Sequence, residues 1–300
     1  LPSRSEATAS RGPSPFPTVP LVLAMLDTLF GPFLAEPLPW AAGTLAVFTA
    51  FLLGFARSSF GGGGFVVSPL MVLAVGPRHG LALIAVLMLA AGARSCWQHR
   101  HGVDPRLLRP LLLAAVTGTA LGGVGLGLLV YSGEETLVHR RLETVVAFLT
   151  LLYTGLVLAR DRIARGGPDR SPRPRETWLA GNLVAISQVL ANSGSPLLTV
   201  FFLRFHRTKE SFVPAQAFFL AAQNAVKLVP LALLHLLHLG NLGTALLLFP
   251  VTLFGGQAGH WFFRRYSERA LLRFYAGTLV LGALASLALL VGRERLLGLL

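Results

Sequence analysis

Two short polar interruptions and one lysine hold most of the chemistry this sequence offers. The first interruption is Arg57-Ser58-Ser59-Phe60, followed by Gly61, Gly62, Gly63 and Gly64. The second is Ala191-Asn192-Ser193-Gly194-Ser195-Pro196. Each cuts an apolar stretch, Trp40 to Val75 in one case and Trp178 to Phe205 in the other. Consecutive glycines sustain a helix poorly, because each is worth about 1 kcal/mol less than alanine there. Each stretch is therefore expected to form a helix, a break and a half-helix. A helix that restarts after a break presents unpaired N–H groups and a partial positive charge, and both attract anions. Pro196 suits the first turn of such a helix, since the N–H it lacks would have no partner there. Ser193 or Ser195 is expected to cap that start through its hydroxyl. The glycines let a ligand come close to the backbone. Two breaks facing one another would hold a small anion with no metal and no cofactor. The plainer alternative is that the glycines only permit tight helix packing.

Lys227 falls near the middle of an apolar run, too deep for an easy reach to an interface. A charge there normally faces the bundle interior or a water-filled path. Gln223 and Asn224 lie one turn earlier on or near the same face, and Pro230 can open the helix one turn later. A cation with two amides would complete an anion site; the alternative is snorkelling or a structural hydrogen-bond network. Arg57 reads equally as a counter-ion to substrate or as a rim charge, and Asn192 as a substrate ligand or a turn residue. His235 and His238 share a helix face but have no third ligand, so packing is expected rather than metal. Glu134 and Glu135, beside His139, Arg140 and Arg141, read as a solvated charge cluster. The lone cysteine, Cys96, allows no disulfide or thiolate metal site within the chain and reads as an inert small hydrophobe. Acidic residues are nearly missing from the apolar runs, so no nucleophile–base–acid set is visible and no enzyme is expected.

Composition decides what must position these residues. Of the 300 residues 53% are hydrophobic and 13% charged, against about 25% charged in a soluble domain. A core cannot absorb so much apolar surface, so the solvent is lipid. The formal charge of +13 comes from arginines set between apolar blocks, which fits cytoplasmic loops and not a nucleic-acid face.

The expected fold is an all-α integral membrane bundle of two homologous halves. Residues 1–38 read as a disordered or interfacial tail, 39–160 as the first transmembrane repeat, 161–176 as a basic cytoplasmic linker and 177–300 as the second repeat. Each half has one glycine-broken element and three plain spans: Leu81 to Ala93, Leu111 to Tyr131 and Thr144 to Ala159, then Phe212 to Leu239, Leu242 to Phe263 and Leu271 to Val291. Basic residues crowd Arg94 to Arg109, Arg160 to Arg175, Arg204 to Lys209 and Arg264 to Arg269. All four loops are cytoplasmic only if each broken element is a re-entrant hairpin, which makes the halves an inverted repeat. The competing count takes each arm as a crossing and gives about eight or more spans. Three glycine pairs with GxxxG spacing, Gly118 and Gly122, Gly123 and Gly127, and Gly255 and Gly259, are expected to let helices pack closely.

The run from Gly54 to Leu70 resembles the first glycine signature of the sulfite exporter TauE/SafE family, and Asn192-Ser193-Gly194-Ser195-Pro196-Leu197-Leu198 is similar to its second-half counterpart. Lys209 to Val213, Phe218-Phe219, Asn224 through Lys227, and Phe249-Pro250 through Gly259 are also similar, so the likeness covers roughly Ala41 to Val291. The second signature carries less glycine than is usual, and Gly80 to Ile84 lacks an expected Thr or Ser, which marks a divergent member. The resemblance implies a duplicated bundle in a bacterial inner membrane that moves small anions, sulfite or organosulfur compounds among them. The expected site is Arg57, Gly61 to Gly64, Asn192, Ser193, Gly194, Ser195, Pro196, Gln223, Asn224 and Lys227. Its partners would be a small anionic solute and the bilayer, with no nucleic acid. The alternatives are a permease for another small anion, such as a carboxylate, and a membrane scaffold that transports nothing.

Overall fold

A computed structural model describes residues 40–60, 62–100, 105–131, 133–159, 172–205 and 209–291. The N-terminal tail, Gly61 and most of the basic linker lie outside them. Every element among the described residues is an α-helix. In chain order these are α1 (Trp40–Phe60), α2 (Gly64–Val75), α3 (Pro77–Gln98), α4 (Pro105–Tyr131), α5 (Glu135–Leu158), α6 (Pro174–Ala191), α7 (Ser195–Phe205), α8 (Lys209–Leu233), α9 (Leu239–Arg265) and α10 (Glu268–Val291).

Among the described residues seven helices are long and apolar enough to cross a membrane: α1, α3, α4, α5, α8, α9 and α10. Six of these are the plain spans that hydropathy marks. The seventh, α1, continues through Arg57 to Phe60, past the point where the apolar run ends. It does so because Arg57 is buried within protein (0% exposed) and meets no lipid. Helix α8 stops at Leu233, six residues before the expected Leu239. His235 takes a left-handed conformation (φ 53°), and the Leu236 and His235 amides donate back to the Leu231 and Ala232 carbonyls. That pair of bonds is a Schellman closure, so His235 is a helix terminator.

Large apolar side chains cover the outside, and a set of polar side chains is buried within an otherwise apolar interior. Leu113, Leu246 and Phe254 are each more than 70% exposed, whereas Gln188, Asn224 and Lys227 are at most 1% exposed. Such a distribution is stable in hydrocarbon, where apolar side chains face outward at no cost.

Contacts between helices exchange pairwise when one half replaces the other. Helix α1 packs along α9, and its counterpart α6 packs along α4; α3 packs on α8, α5 on α10, and α2 touches α7. Small residues set the two closest of these interfaces. A Cβ added at Gly255 or Gly259 of α9 would strike the Phe51 or Phe55 carbonyl of α1, and one at Gly54 would strike the Thr252 carbonyl. On the other pair, a Cβ at Gly118 of α4 would lie 2.6 Å from the Asn182 carbonyl of α6. Gly122 meets Ile186 in the same way, at 3.1 Å from its Cα. Gly123 and Gly127 face softer neighbours, the Pro230 ring and the Leu234 side chain. With no hydrophobic drive between helices in lipid, this backbone approach supplies much of the attraction.

Candidate functional site

Both interruptions form where the sequence places them, and at each the chain folds back on the helix it leaves. Gly63 has φ 111°, a left-handed conformation that glycine adopts without strain. A Cβ there would fall on the Ala56 side chain, seven residues back. At the second break Asn192 ends α6 with φ 53°, and a Cβ on Gly194 would strike the Val184 carbonyl. Each broken element is thus a hairpin of one longer and one shorter helix.

The hairpins meet at their tips. The Gly63 amide donates to Ser195 Oγ at 3.4 Å. A Cβ on Gly62 would lie 3.2 Å from Ser195 Cβ, and one on Gly64 would strike the Asn192 carbonyl. The first turns of α2 and α7 are therefore neighbours, and their partial positive charges face the same small region. Thr150 of α5 secures both tips: its hydroxyl donates to the Phe65 carbonyl at 3.3 Å and pairs with Ser193 Oγ at 3.4 Å. Gln216 of α8 donates to the Ser195 carbonyl at 3.3 Å and pairs with Thr199. The serines do not act as the expected caps. Ser193 Oγ donates to the Ala191 carbonyl, and Ser195 Oγ receives the Gly63 amide. Pro196 sits buried in the first turn of α7.

Two cations border the junction. Lys227 of α8 is 1% exposed, and its ammonium donates to Asn192 Oδ1 at the second break. Arg57, in the last turn of α1, is wholly buried, and its backbone carbonyl accepts from Ser95 Oγ of α3 at 3.1 Å. Among the described residues no aspartate or glutamate is buried. One ion pair links Arg78 to Glu135 at 3.7 Å, with Glu135 largely exposed. Gln223 and Asn224 are buried on α8 one turn before Lys227, and neither amide makes a hydrogen bond. All the candidate site residues except Gly61, which is outside the described residues, thus lie at the hairpin tips, one helical turn or so from them, or on the buried side of α8.

Three contributors escape a reading of the chain alone. Gln188 of α6 is wholly buried with both amide atoms unpartnered. It stands six residues before Gly194, as Arg57 stands six before Gly63. Gln216 lies two turns before Gln223, a spacing that marks the same helix face. Thr150 gives no signal, because hydroxyls are common in membrane helices and its partners are remote in sequence. Beyond the site, His99 donates from Nε2 to the Ser58 carbonyl at 3.1 Å, and Cys96 makes a weak contact with the Ala217 carbonyl at 3.7 Å. His238 precedes α9 and lies 6.4 Å from the His79 ring.

The arrangement gathers cations, amides, hydroxyls and two helix starts. Against known families, residues 46–286 match the family model described as Sulfite exporter TauE/SafE. Comparison with curated proteins and with solved structures gave no match.

Proposed function

The chain belongs to the sulfite exporter TauE/SafE family of membrane transporters, and from this we propose that it carries a small oxyanion, of sulfite or organosulfur type, through the junction of its two hairpin tips. The reading rests on one observation above the rest: the two hairpin tips meet, the Gly63 amide on Ser195 Oγ at 3.4 Å, beside the buried ammonium of Lys227. A cation out of water costs several kcal/mol unless compensated. A bound anion offsets that cost. The first turns of α2 and α7 add partial positive charge at the same place, and Gln188, Gln223 and Asn224 offer buried N–H groups with no other partner.

In this mechanism Lys227 and Arg57 neutralise the anion, the amides orient it, and the glycines at the first break admit it close to the backbone. Asn192 holds the Lys227 ammonium when the site is empty and releases it to substrate. The pairwise exchange of helix contacts between halves supports alternating access, in which one half rocks against the other around a fixed site. Bacterial inner-membrane placement and inverted halves belong to the same proposal.

The test is flux into proteoliposomes across sulfite, thiosulfate, sulfoacetate and short carboxylates, with wild type beside Arg57→Gln and Lys227→Gln. Saturable sulfur-oxyanion flux that both variants lose supports the reading. Carboxylate flux alone moves the substrate to the other anion class. Equal flux from folded variants and wild type moves the anion site away from these two cations, and no flux from either leaves a scaffold.

A further inference from the structure

On the outer flank of the first hairpin runs a groove of about 790 Å³ between α1, α9 and α10. Its lining is largely aromatic, with Phe51 and Phe55 from α1, Phe262 from α9 and Phe274 from α10. The rings are in contact, Phe55 lying 4.9 Å from Phe274 and 5.4 Å from Phe262. One end is different in kind. There Arg273 and Tyr266 join the lining, and Arg264, Arg265 and Arg269 stand exposed in the adjoining turn. We propose that this groove is a binding site for an anionic glycerophospholipid, with an acyl chain lying along the phenylalanine-lined floor and the phosphate at Arg273.

Three features select this occupant. The groove is built from helices that qualify as membrane spans, so the molecules that reach it are chiefly lipids. Its apolar length ends in arginines, and the phosphate of a phospholipid lies at the corresponding end of its chains. Arginine also matches phosphate geometry through paired N–H donors. A second copy of this chain would have to bring an acidic surface to that end, and the exposed character there is basic. The site has a mechanical consequence as well. Phe51 and Phe55 carry the carbonyls against which Gly255 and Gly259 pack, so a chain in the groove bears on α1 two residues from Arg57.

The experiment is native mass spectrometry of the delipidated full-length protein, titrated with phosphatidylglycerol or phosphatidylcholine. Gly277 lines the groove, and nothing lies within 4 Å of a Cβ placed on it. Gly277→Leu should therefore fill the groove without disturbing packing. Gly155→Leu, also open around its Cβ, serves as the control on another surface. Wild type and Gly155→Leu are expected to retain phosphatidylglycerol about tenfold better than phosphatidylcholine. Gly277→Leu should lose the tightly held lipid, and Arg273→Ala should lower the preference about fivefold while still taking up lipid. Three results would each overturn the proposal. These are equal retention of the two lipids by wild type, retention of lipid by Gly277→Leu as in wild type, and lipid uptake that requires removal of residues 1–38 or dissociation of a dimer, either of which would identify a different occupant. None of these readouts is solute flux, so failure here is distinct from failure of the transport reading.

Discussion

The Gly63 amide and the Ser195 hydroxyl meet at 3.4 Å although 132 residues separate them in the chain. This contact joins the tip of one hairpin to the tip of the other, and it fixes where two helix starts and two cations are brought together. In the first half the cation is Arg57, on the hairpin itself. In the second it is Lys227, on the helix that follows, while the hairpin position equivalent to Arg57 holds Gln188. The two hairpins thus share a backbone turn and differ in where the cation sits.

Lys227→Met should separate function from stability. The methionine fills similar volume and removes a buried charge but leaves Asn192 Oδ1 without its donor, so the melting temperature of the empty protein is expected to change little. Apparent substrate affinity should fall about ten- to a hundredfold, the worth of a hydrogen bond from a charged group. Thermal melting in detergent and proteoliposome flux measure the two. A variant that melts earlier and transports normally would make Lys227 a structural residue.

Gln188→Leu and Gln223→Leu test the unpartnered amides. A buried amide without a hydrogen bond costs about 1–3 kcal/mol, so each leucine should leave melting unchanged or raise it. Flux at low substrate should drop about tenfold if the amides serve the anion. Unaltered flux with raised stability would show that they are only an internal burden.

The parts that were legible in the sequence depend on local pattern. Six long apolar runs announced six helices, and glycine and Asn-Ser-Gly-Ser runs announced the breaks, because both effects act through neighbouring residues. The full length of α1 was hidden, since a hydropathy window treats Arg57 as facing lipid. Its burial depends on helices that come later in the chain. Lys227 stood out as a charge in an apolar run, but Gln188 and Gln216 did not. A glutamine in such a run carries no full charge, and its role is set by partners, or a lack of them, that only the folded chain reveals.

Gly63→Ala should destabilise the first hairpin. Its left-handed backbone costs a residue with a side chain about 1–3 kcal/mol, and the new Cβ overlaps Ala56. Gly43→Ala, within α1 and with nothing within 4 Å of its Cβ, should instead gain about 0.5–1 kcal/mol. The difference appears in melting temperature. Equal melting of the two variants would mean that the turn at Gly63 relaxes freely.

Gly259→Ala should part α1 from α9, because the added Cβ lands on the Phe55 carbonyl. Overpacking of this kind costs about 1–3 kcal/mol. The movement would carry Arg57 with it, so flux should fall along with stability, unlike the result for Lys227→Met. Gly277→Ala is the matched control on α10, where the space is open. If Gly259→Ala transports as wild type does, the position of α1 is not critical to the site.

His99 gives the protein a pH response that is separate from transport. It lies just past the end of α3, buried, with its ring edge-on to His260 at 5.4 Å. Burial holds its pKa below the ordinary imidazole range; the hydrogen bond to Ser58 opposes that shift, and the nearby His260 adds to it. The unfolded chain, with an imidazole near its usual value of about 6.5, therefore takes up a proton first as pH falls. Stability from His99 is fully present above that value and is lost as pH drops through it toward the lower folded-state pKa. Melting temperature should accordingly fall between about pH 7 and pH 5. His99→Asn keeps a donor for the Ser58 carbonyl and cannot titrate, so its profile should be flatter over the same range. A variant profile as steep as wild type would assign the response to another group.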